Sequence, residues 1–254
     1  MTATRQDILT SCHPPILKYC LHDRCESCYG LSMIIAVCNP KGGVGKSTIA
    51  VHLAAWLHRR GRSVVLADCD QQRSSSDWVR EAAPGVRTVW LHNSDLILNE
   101  LPVLAKEAEY VIADGPGSHK ESSRALMLRA DFAIVPAKAS MLEVRALAQA
   151  TEVLQQARSV RNEQPRAVVV LSMVGQNYRL TRDMKEAAEA LHLPLASRAM
   201  ILRQIYADSP GQGAVVWNMG ARAKDAALEV DLLFEELLPE AARAVPVAAG
   251  DDAK

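Results

Sequence analysis

The sequence predicts an α/β protein: a mostly parallel, doubly wound sheet with helices on both faces, in a single domain. Its 254 residues are enough for one domain with a sizeable core. From Met33 onward, short and continuously apolar segments alternate with helix-like segments. That alternation is typical of parallel strands that helices cover on both sides. A glycine-rich segment joins the first of these strands to the first helix.

The elements follow one another at regular intervals along the chain. Residues 49–57, directly after the glycine-rich segment, have a helical pattern, and later helices are predicted over 140–157 and 181–191. The domain is predicted to cover residues 33–238, with a flexible tail at 239–254. Six segments are predicted to be strands: residues 33–38, 63–67, 86–90, 110–113, 132–135 and 167–171.

Residues 1–32 do not fit this pattern and are predicted to be an extension of uncertain order. They hold four of the six cysteines. Five side chains there could bind zinc: Cys12, His13, Cys20, Cys25 and Cys28. No second Cys-x-x-Cys or His-x₃-His pair completes such a site. We therefore favour an extension without fixed order, or upstream sequence included because the assigned start codon is too early.

The composition is that of a globular protein. The chain is 49% hydrophobic and 4% aromatic, and its 29 basic residues balance 29 acidic ones. No apolar segment approaches the roughly 20 residues that cross a bilayer. The first thirty residues lack the apolar core of a secretory signal. We expect a cytoplasmic protein whose cysteines are reduced.

Residues 39–48, Asn-Pro-Lys-Gly-Gly-Val-Gly-Lys-Ser-Thr, form a phosphate-binding loop. The segment matches the pattern G-x-x-x-x-G-K-[ST], except that Pro40 stands at the first glycine position and Lys41 is added near the start. Glycines let backbone N–H groups close around phosphate oxygens, and the helix N-terminus adds positive partial charge. Lys46 supplies a full charge, and the Ser47 hydroxyl is placed to bind Mg²⁺. The predicted sheet is therefore of the P-loop nucleotide-hydrolase type.

Residues 41–48 resemble the deviant Walker A motif of the ParA/MinD superfamily of P-loop ATPases. The likeness extends over roughly residues 33–238 and is strongest to the ParA proteins that partition plasmids and chromosomes. In that family the early lysine reaches the nucleotide of the partner subunit, so the resemblance implies a catalytic, cross-dimer role for Lys41 beside Lys46. It implies that ATP and Mg²⁺ are the cofactors. The implied nucleotide-binding residues are Gly42, Gly43, Val44, Gly45, Lys46, Ser47 and Thr48.

Residues 68–72, Asp-Cys-Asp-Gln-Gln, close the second predicted strand and resemble the family's D-x-D-P-Q motif. Gln71 stands in place of the proline. Open α/β sheets bind ligands at the carboxyl ends of their strands. The resemblance implies that Asp70 orients or deprotonates the attacking water and that Asp68 supports Mg²⁺ through its water shell. One carboxylate near that water is sufficient, because phosphoryl transfer depends mainly on positioning and charge neutralisation.

Two further acidic segments are predicted at the same end of the sheet. Residues 110–117, Tyr-Val-Ile-Ala-Asp-Gly-Pro-Gly, resemble a Walker B strand that leads into a switch loop, which assigns Asp114 to Mg²⁺. Residues 131–138 resemble a family strand that ends in a proline beside the nucleotide. We interpret the side chains of that segment as structural and its lysine, Lys138, as solvated. Residues 172–173 end a strand where adenine is expected.

The resemblance also implies a cycle with several partners. ATP binding forms a homodimer that binds non-specific DNA and becomes nucleoid-associated. A centromere-binding or cargo adaptor protein stimulates weak intrinsic hydrolysis, which releases the dimer and moves or spaces a plasmid, a chromosome region or a protein assembly. Residues 161–224 contain nine basic and five acidic residues, a modest excess for contact with phosphates. The candidate DNA contacts are Arg179, Arg182, Lys185, Arg198, Arg203, Arg222 and Lys224.

The alternative function is that of a metabolic P-loop enzyme, such as an ATP-dependent ligase or synthetase acting on a small substrate. The phosphate loop of such relatives usually lacks the early lysine. Iron–sulfur carrier relatives need cysteines after the Walker B strand, and none follows Cys69. A membrane-binding relative needs a C-terminal amphipathic helix, whereas prolines interrupt residues 237–246. A module that only holds nucleotide does not need both Asp70 and Asp114.

Overall fold

The computed structural model describes residues 32–117, 119–138, 140–175 and 180–242. Within these ranges the centre of the protein is one six-stranded sheet. Its strands are β1 (Met33–Val37), β2 (Val64–Asp68), β3 (Arg87–Trp90), β4 (Tyr110–Asp114), β5 (Phe132–Lys138) and β6 (Arg166–Ser172). They lie in the order β3-β2-β4-β1-β5-β6, and every neighbouring pair is parallel. The predicted fold class and all six predicted strands are confirmed.

Helices cover both faces of this sheet. Those between consecutive strands are α1 (Lys46–Arg59), α2 (Ser74–Ala82), α3 (Ser94–Glu107), α4 (Lys120–Arg129) and α5 (Met141–Val160). Those after β6 are α6 (Leu180–Ala190), α7 (Gln204–Gly211), α8 (Lys224–Leu237) and α9 (Pro239–Ala242). Because side chains of a strand alternate between faces, Ile35 belongs to the core cluster that includes α1, α2, α7 and α8, whereas Ile34 belongs to the cluster that includes α3 to α6.

The strand register brings two predicted acidic residues together. Asp114, the last residue of β4, pairs with Val37 of β1 on one side and with Asp68 of β2 on the other. Parallel strands end at the same edge of a sheet, so the loops that follow β1 and β2 leave the sheet on either side of Asp114. This edge carries the candidate site.

Asp131 does not belong to that edge, so its predicted location is wrong. It precedes β5 and lies at the opposite, amino end of the sheet. Its Oδ2 accepts a hydrogen bond from the Ile34 N–H (2.9 Å), and its Oδ1 lies 3.8 Å from the Arg161 guanidinium. Asp131 therefore ties β1 and β5 together at their start.

Strand β5 also continues past Pro136, where a strand end was expected. Proline is tolerated within a strand only where its missing N–H breaks no ladder bond. The ladder between β1 and β5 ends at the pair Val37 and Ile134, and the Pro136 carbonyl accepts instead from the Asn39 side chain (2.7 Å). The strand can therefore extend to Lys138.

The folded part of the chain extends beyond the predicted boundary at residue 238. Pro239–Ala242 form α9, and Ala241 is fully buried in the core beside α8. The tail prediction is therefore wrong for residues 239–242, and residues 243–254 lie outside the described ranges. The candidate zinc ligands of residues 1–31 also lie outside them. No helix among the described residues combines the length and apolar character that a bilayer span requires.

Candidate functional site

The phosphate loop is held in shape by contacts with its own backbone and with β5. Asn39 is buried, and while its Nδ2 donates to Pro136, its Oδ1 accepts from the Lys41 N–H (2.8 Å). Gly45 precedes α1 in the left-handed region (φ 88°), a conformation that costs glycine little and other residues more. The hydrogen bonds of Asn39 and the conformation of Gly45 therefore fix the backbone path of the phosphate loop.

Lys46 begins α1 with its ammonium group inside the loop. Its Nζ donates to the Lys41 carbonyl (3.0 Å), and its side chain is largely buried. Burial lowers the pKa of Lys46, whereas the negative charges of Asp114 and Asp70 oppose that shift. Both carboxylates therefore lie near the ammonium group. A partly desolvated cation of this kind binds phosphate oxygens strongly.

Asp114 is a buried carboxylate, only 1% exposed, at the end of β4. Neither of its oxygens accepts a hydrogen bond of normal geometry from the residues that the structure describes. Burial raises the pKa of Asp114 to about 7; the hydroxyls of Ser47 and Ser75 lower it, and the charge of Asp68 raises it further. A buried carboxylate is costly unless a cation compensates it. Carboxylate and hydroxyl oxygens are the ligands that Mg²⁺ prefers, so Asp114 and Ser47 fit this ion.

Asp68 and Asp70 have different environments in the loop after β2. Asp68 is fully buried; its Oδ1 accepts from the Asp70 N–H (3.0 Å) and its Oδ2 from the Ser76 N–H (2.8 Å). Asp70 is half-buried, and its Oδ1 accepts from the Gln72 N–H (2.9 Å). Asp68 thus fixes the loop and the start of α2, while Asp70 is the more accessible carboxylate. Support of Mg²⁺ by Asp68 stays a prediction.

The segment after β4 lies directly against the phosphate loop. A β-carbon placed on Gly117 would lie 3.4 Å from the Gly42 Cα and 3.5 Å from the Lys46 Nζ. At Gly115 the fit is tighter, since a β-carbon would lie 2.8 Å from the Cys38 Cβ. The predicted switch loop and phosphate loop are therefore in contact, which is the arrangement that sensing a γ-phosphate requires.

Two residues beside the loop make contacts that the sequence did not predict: Lys138 was expected to be solvated, and Ser172 was expected only to end a strand near adenine. The Lys138 Nζ lies 4.0 Å from where a β-carbon on Gly43 would be, so Lys138 borders the phosphate loop and is not simply solvated. Ser172 is buried and its Oγ donates to the Val44 carbonyl. Both residues end strands, β5 and β6. Strand ends on this side of the sheet are the signal that could have found them.

Two buried thiols also border the acidic centre. Cys38 follows β1 and Cys69 follows β2, and both are free and buried. Burial raises the pKa of Cys38 to about 12 and that of Cys69 well above its usual value. Both thiols therefore stay neutral beside Asp114, and they add no charge to the centre.

The candidate DNA contacts are only partly described. Arg179 lies outside the described residues, as do the side chains of Arg182 and Lys185. The Arg203 Nε lies 3.2 Å from Glu229, an internal ion pair that disfavours its predicted contact with DNA. Three candidates remain at exposed positions: Arg198, Arg222 and Lys224.

A cavity of about 350 Å³ opens beside the acidic centre. It lies between the loops that follow β2, β3 and β4 and is mainly polar. Gln71, His92 and His119 come from these three loops, and Lys120 and Glu121 from the first turn of α4. A small polar molecule could occupy this volume, which Cys69 and Gln71 line on either side of Asp70 in the sequence.

Comparison with known proteins places this site in a family. Residues 35–215 match the family described as the CobQ/CobB/MinD/ParA nucleotide binding domain. The chain is 31% identical over 210 residues to the maintenance of carboxysome distribution protein A of Halothiobacillus neapolitanus, which covers 81% of this chain and 96% of that protein. It is 25% identical over 148 residues to ParA of Rhizobium radiobacter, over 58% of this chain and 67% of that protein.

Solved structures share the fold at lower sequence identity. Apo McdA of Cyanothece has a TM-score of 0.68 at 16% identity, over 81% of this chain and 99% of that chain. The MinC:MinD cell division protein complex of Aquifex aeolicus has a TM-score of 0.65 at 13% identity, over 85% and 98%. The family match spans the phosphate loop and both aspartate segments. The chain therefore belongs to the CobQ/CobB/MinD/ParA nucleotide-binding family, and it is an ATPase that uses ATP and Mg²⁺.

Proposed function

We propose that this ATPase positions a cargo on DNA. In the proposed cycle, ATP binding forms a homodimer that binds DNA without sequence preference, and hydrolysis stimulated by an adaptor protein releases it. The observation that carries the proposal is Lys41, an additional lysine in a phosphate loop that Asn39 and Lys46 hold in shape. The relative named for carboxysome distribution is matched over 96% of its length, which favours a protein assembly as the cargo.

The loop residues would divide the work between two subunits. Backbone N–H groups of Gly42 to Thr48 and the Lys46 ammonium would bind the phosphates of the subunit's own nucleotide. Lys41 would extend to the nucleotide of the partner subunit and neutralise charge there. The dimer would then be stable only while phosphates occupy both sites, which makes assembly depend on ATP.

Hydrolysis needs a positioned water molecule and compensation of phosphate charge. Ser47 and Asp114 would hold Mg²⁺, whose charge offsets that of the β- and γ-phosphates. Asp70 would orient the attacking water and accept its proton. The new bond joins the water oxygen to the γ-phosphorus, and the bond to the bridging oxygen of ADP breaks. Contact of Gly117 with the phosphate loop would transmit the loss of the γ-phosphate to the switch loop.

Retention on DNA tests this proposal. Purified protein is passed over immobilised DNA of mixed sequence with Mg²⁺ and ATP, ADP or no nucleotide, at 50 to 200 mM salt. Retention is expected with ATP only. Its affinity should fall about a thousandfold over this salt range if the dimer contacts about six phosphates. Lys224→Gln combined with Arg222→Gln should weaken retention.

The control variant is Lys106→Gln, an exposed lysine in the last turn of α3. It should retain DNA as the wild type does. Retention on DNA that does not depend on the nucleotide would contradict the positioning function. So would a protein that hydrolyses ATP but is not retained on DNA in any nucleotide state.

The polar cavity lined by Cys69 and Gln71 supports a second candidate, an ATP-dependent ligase or synthetase acting on a small substrate. The likeness in fold to cobyrinic acid a,c-diamide synthase of Mycobacterium smegmatis (TM-score 0.62) is compatible with it. This candidate predicts ATP hydrolysis that depends on a small carboxylate or amine and is indifferent to DNA. Screening a panel of such compounds for stimulated phosphate release distinguishes the two functions.

A further inference from the structure

The indole of Trp90 makes an unusual contact with the backbone of Asp70. Trp90 is the last residue of β3, the edge strand, and pairs in register with Asp68 of β2. Its Nε1 donates a hydrogen bond to the Asp70 carbonyl oxygen (3.0 Å). The side chain is 37% exposed, so burial of its ring alone does not explain a tryptophan at this position.

Asp70 is held at several atoms of a tight turn. Its N–H donates to Asp68 Oδ1, and its carbonyl accepts from the Arg73 N–H (3.3 Å) as well as from Trp90. Its Oδ1 accepts from the Gln72 N–H. Of these bonds, the indole bond alone comes from the neighbouring edge strand. Trp90 therefore connects the turn to the rigid sheet.

Arg73 strengthens the same arrangement. Its guanidinium carbon lies 4.5 Å from the centre of the Trp90 ring, a cation–π contact, and His92 lies against the same indole at 4.7 Å between ring centres. Arg73 adopts the left-handed region (φ 54°), which is unfavourable for a side chain of its size. The stacking on Trp90 helps to hold Arg73, and so the end of the turn, in that conformation.

We propose that Trp90 is a positioning residue for hydrolysis: it fixes the turn of Asp70, so that the carboxylate keeps its place near Lys46. This rests on the proposed function, in which Asp70 orients the attacking water. Small displacements of a catalytic group reduce the rate of the chemical step far more than they reduce substrate binding. The role of Trp90 should therefore appear in kcat and not in ATP affinity.

The test compares Trp90→Phe with Trp217→Phe. The first variant keeps a ring for Arg73 but removes the N–H donor to Asp70. The control variant removes a comparable hydrogen bond, which the Trp217 indole N–H donates to Asp231 Oδ2 (3.2 Å). This bond lies on the side of the sheet that α8 covers. For Trp90→Phe we expect kcat to fall at least tenfold, while KM and the affinity for a non-hydrolysable ATP analogue change less than twofold. Trp217→Phe should match the wild type in all three.

Hydrogen exchange in the nucleotide-free protein gives a readout that does not depend on activity. The N–H groups of Gln72 and Arg73 donate within the turn, so both should exchange at least fivefold faster in Trp90→Phe than in the wild type. Wild-type kcat or wild-type exchange at these two amides in Trp90→Phe would overturn the positioning role. If neither the wild type nor Trp217→Phe hydrolyses ATP, the proposed function fails, and the exchange rates alone decide whether Trp90 holds the turn.

Discussion

Asp114 carries a buried negative charge that the described residues leave without a hydrogen bond of normal geometry. Its pKa is raised from 3.8 to about 7, mainly by burial. Between these two pH values the folded state therefore holds a proton that the unfolded state has already lost. Above pH 7 the charged carboxylate therefore lowers the free energy of unfolding of the nucleotide-free protein by its full amount. This loss of stability disappears as the pH falls from 7 towards 3.8. A protein can tolerate this loss of stability at a site that binds a cation.

Asp114→Asn removes that charge and should stabilise the nucleotide-free protein. At pH 8 without Mg²⁺ we expect the free energy of unfolding to rise by about 2–4 kcal/mol, and by less at pH 5, where the wild-type carboxyl is largely protonated. Urea denaturation followed by circular dichroism measures both values. The matched control is Asp131→Asn before β5, at the opposite end of the sheet, which loses the ion pair with Arg161 and should lower stability. A loss of stability in Asp114→Asn at pH 8 would contradict this account.

The residues of the centre differ in how far the sequence could reveal them. Lys46, Asp70 and Asp114 belong to local motifs, so their neighbours in the chain identify them. Lys138 and Trp90 have no such motif. Lys138 borders the phosphate loop because β5 lies beside β1, and Trp90 reaches Asp70 because β3 lies beside β2. The order of strands depends on tertiary packing, which the residues next to Lys138 and Trp90 do not encode.

Helix α1 links the phosphate loop to the other end of the chain through His52. This side chain is fully buried; its Nδ1 donates to the Thr48 carbonyl (2.8 Å) and its Nε2 accepts from the Val216 N–H (3.3 Å). The rings of Trp78 and Tyr206 meet it edge to face. The phosphate-loop helix is thus joined to α2, to α7 and to the short 3₁₀ helix at Val216–Asn218.

The pKa of His52 should make this contact depend on pH. Burial lowers that pKa from 6.5 to about 4, and the bond to Thr48 opposes the shift only partly. Between these values the unfolded chain binds a proton that the folded chain does not, so the stabilising contribution is complete above pH 6.5 and is lost as the pH falls towards 4. The full loss is about 3 kcal/mol.

His52→Gln isolates this effect, because it keeps a polar side chain but removes the titrating ring. At pH 8 the wild type should be more stable by about 1–2 kcal/mol, since the variant loses ring contacts and one backbone bond. The difference should fall by about 3 kcal/mol between pH 6.5 and 4, so that at pH 4 the variant is the more stable protein by about 1–2 kcal/mol; other titrating groups cancel in the difference. Urea denaturation across this range measures the difference, with the exposed His58→Gln as control. A difference that stays constant with pH would refute the assignment of His52.

Elements were easier to predict than their termini and contacts. Except for the partly exposed edge strand β3, each strand is a short, mainly apolar segment, and it is found in the structure because both faces of the sheet are covered. The end of β5 was misplaced because Pro136 looks like a strand terminator. Its tolerance depends on where the ladder from β1 stops. The helical turn at Pro239–Ala242 was missed because its burial depends on packing against α8.

At the scale of the whole molecule, the strand order determines what the sheet can assemble. Asp114 stands between β1 and β2 because β4 is inserted between them, which brings the phosphate loop and Asp70 to one centre. Asp131 is separated from that centre because it precedes β5 and therefore lies at the opposite, amino end of the sheet. Lys41 belongs to the phosphate loop of this centre. Its proposed contact with the nucleotide of a second subunit is the central claim.

Dimerisation of Lys41→Gln tests that claim most directly. Sedimentation velocity is measured with Mg²⁺ and a non-hydrolysable ATP analogue, and analogue affinity is measured separately by fluorescence. We expect the wild type and Lys106→Gln to dimerise with the analogue only. Lys41→Gln should bind the analogue within about threefold of the wild type, yet dimerise at least tenfold more weakly, a loss of at least about 1.4 kcal/mol. Dimerisation of Lys41→Gln with wild-type affinity would contradict the account.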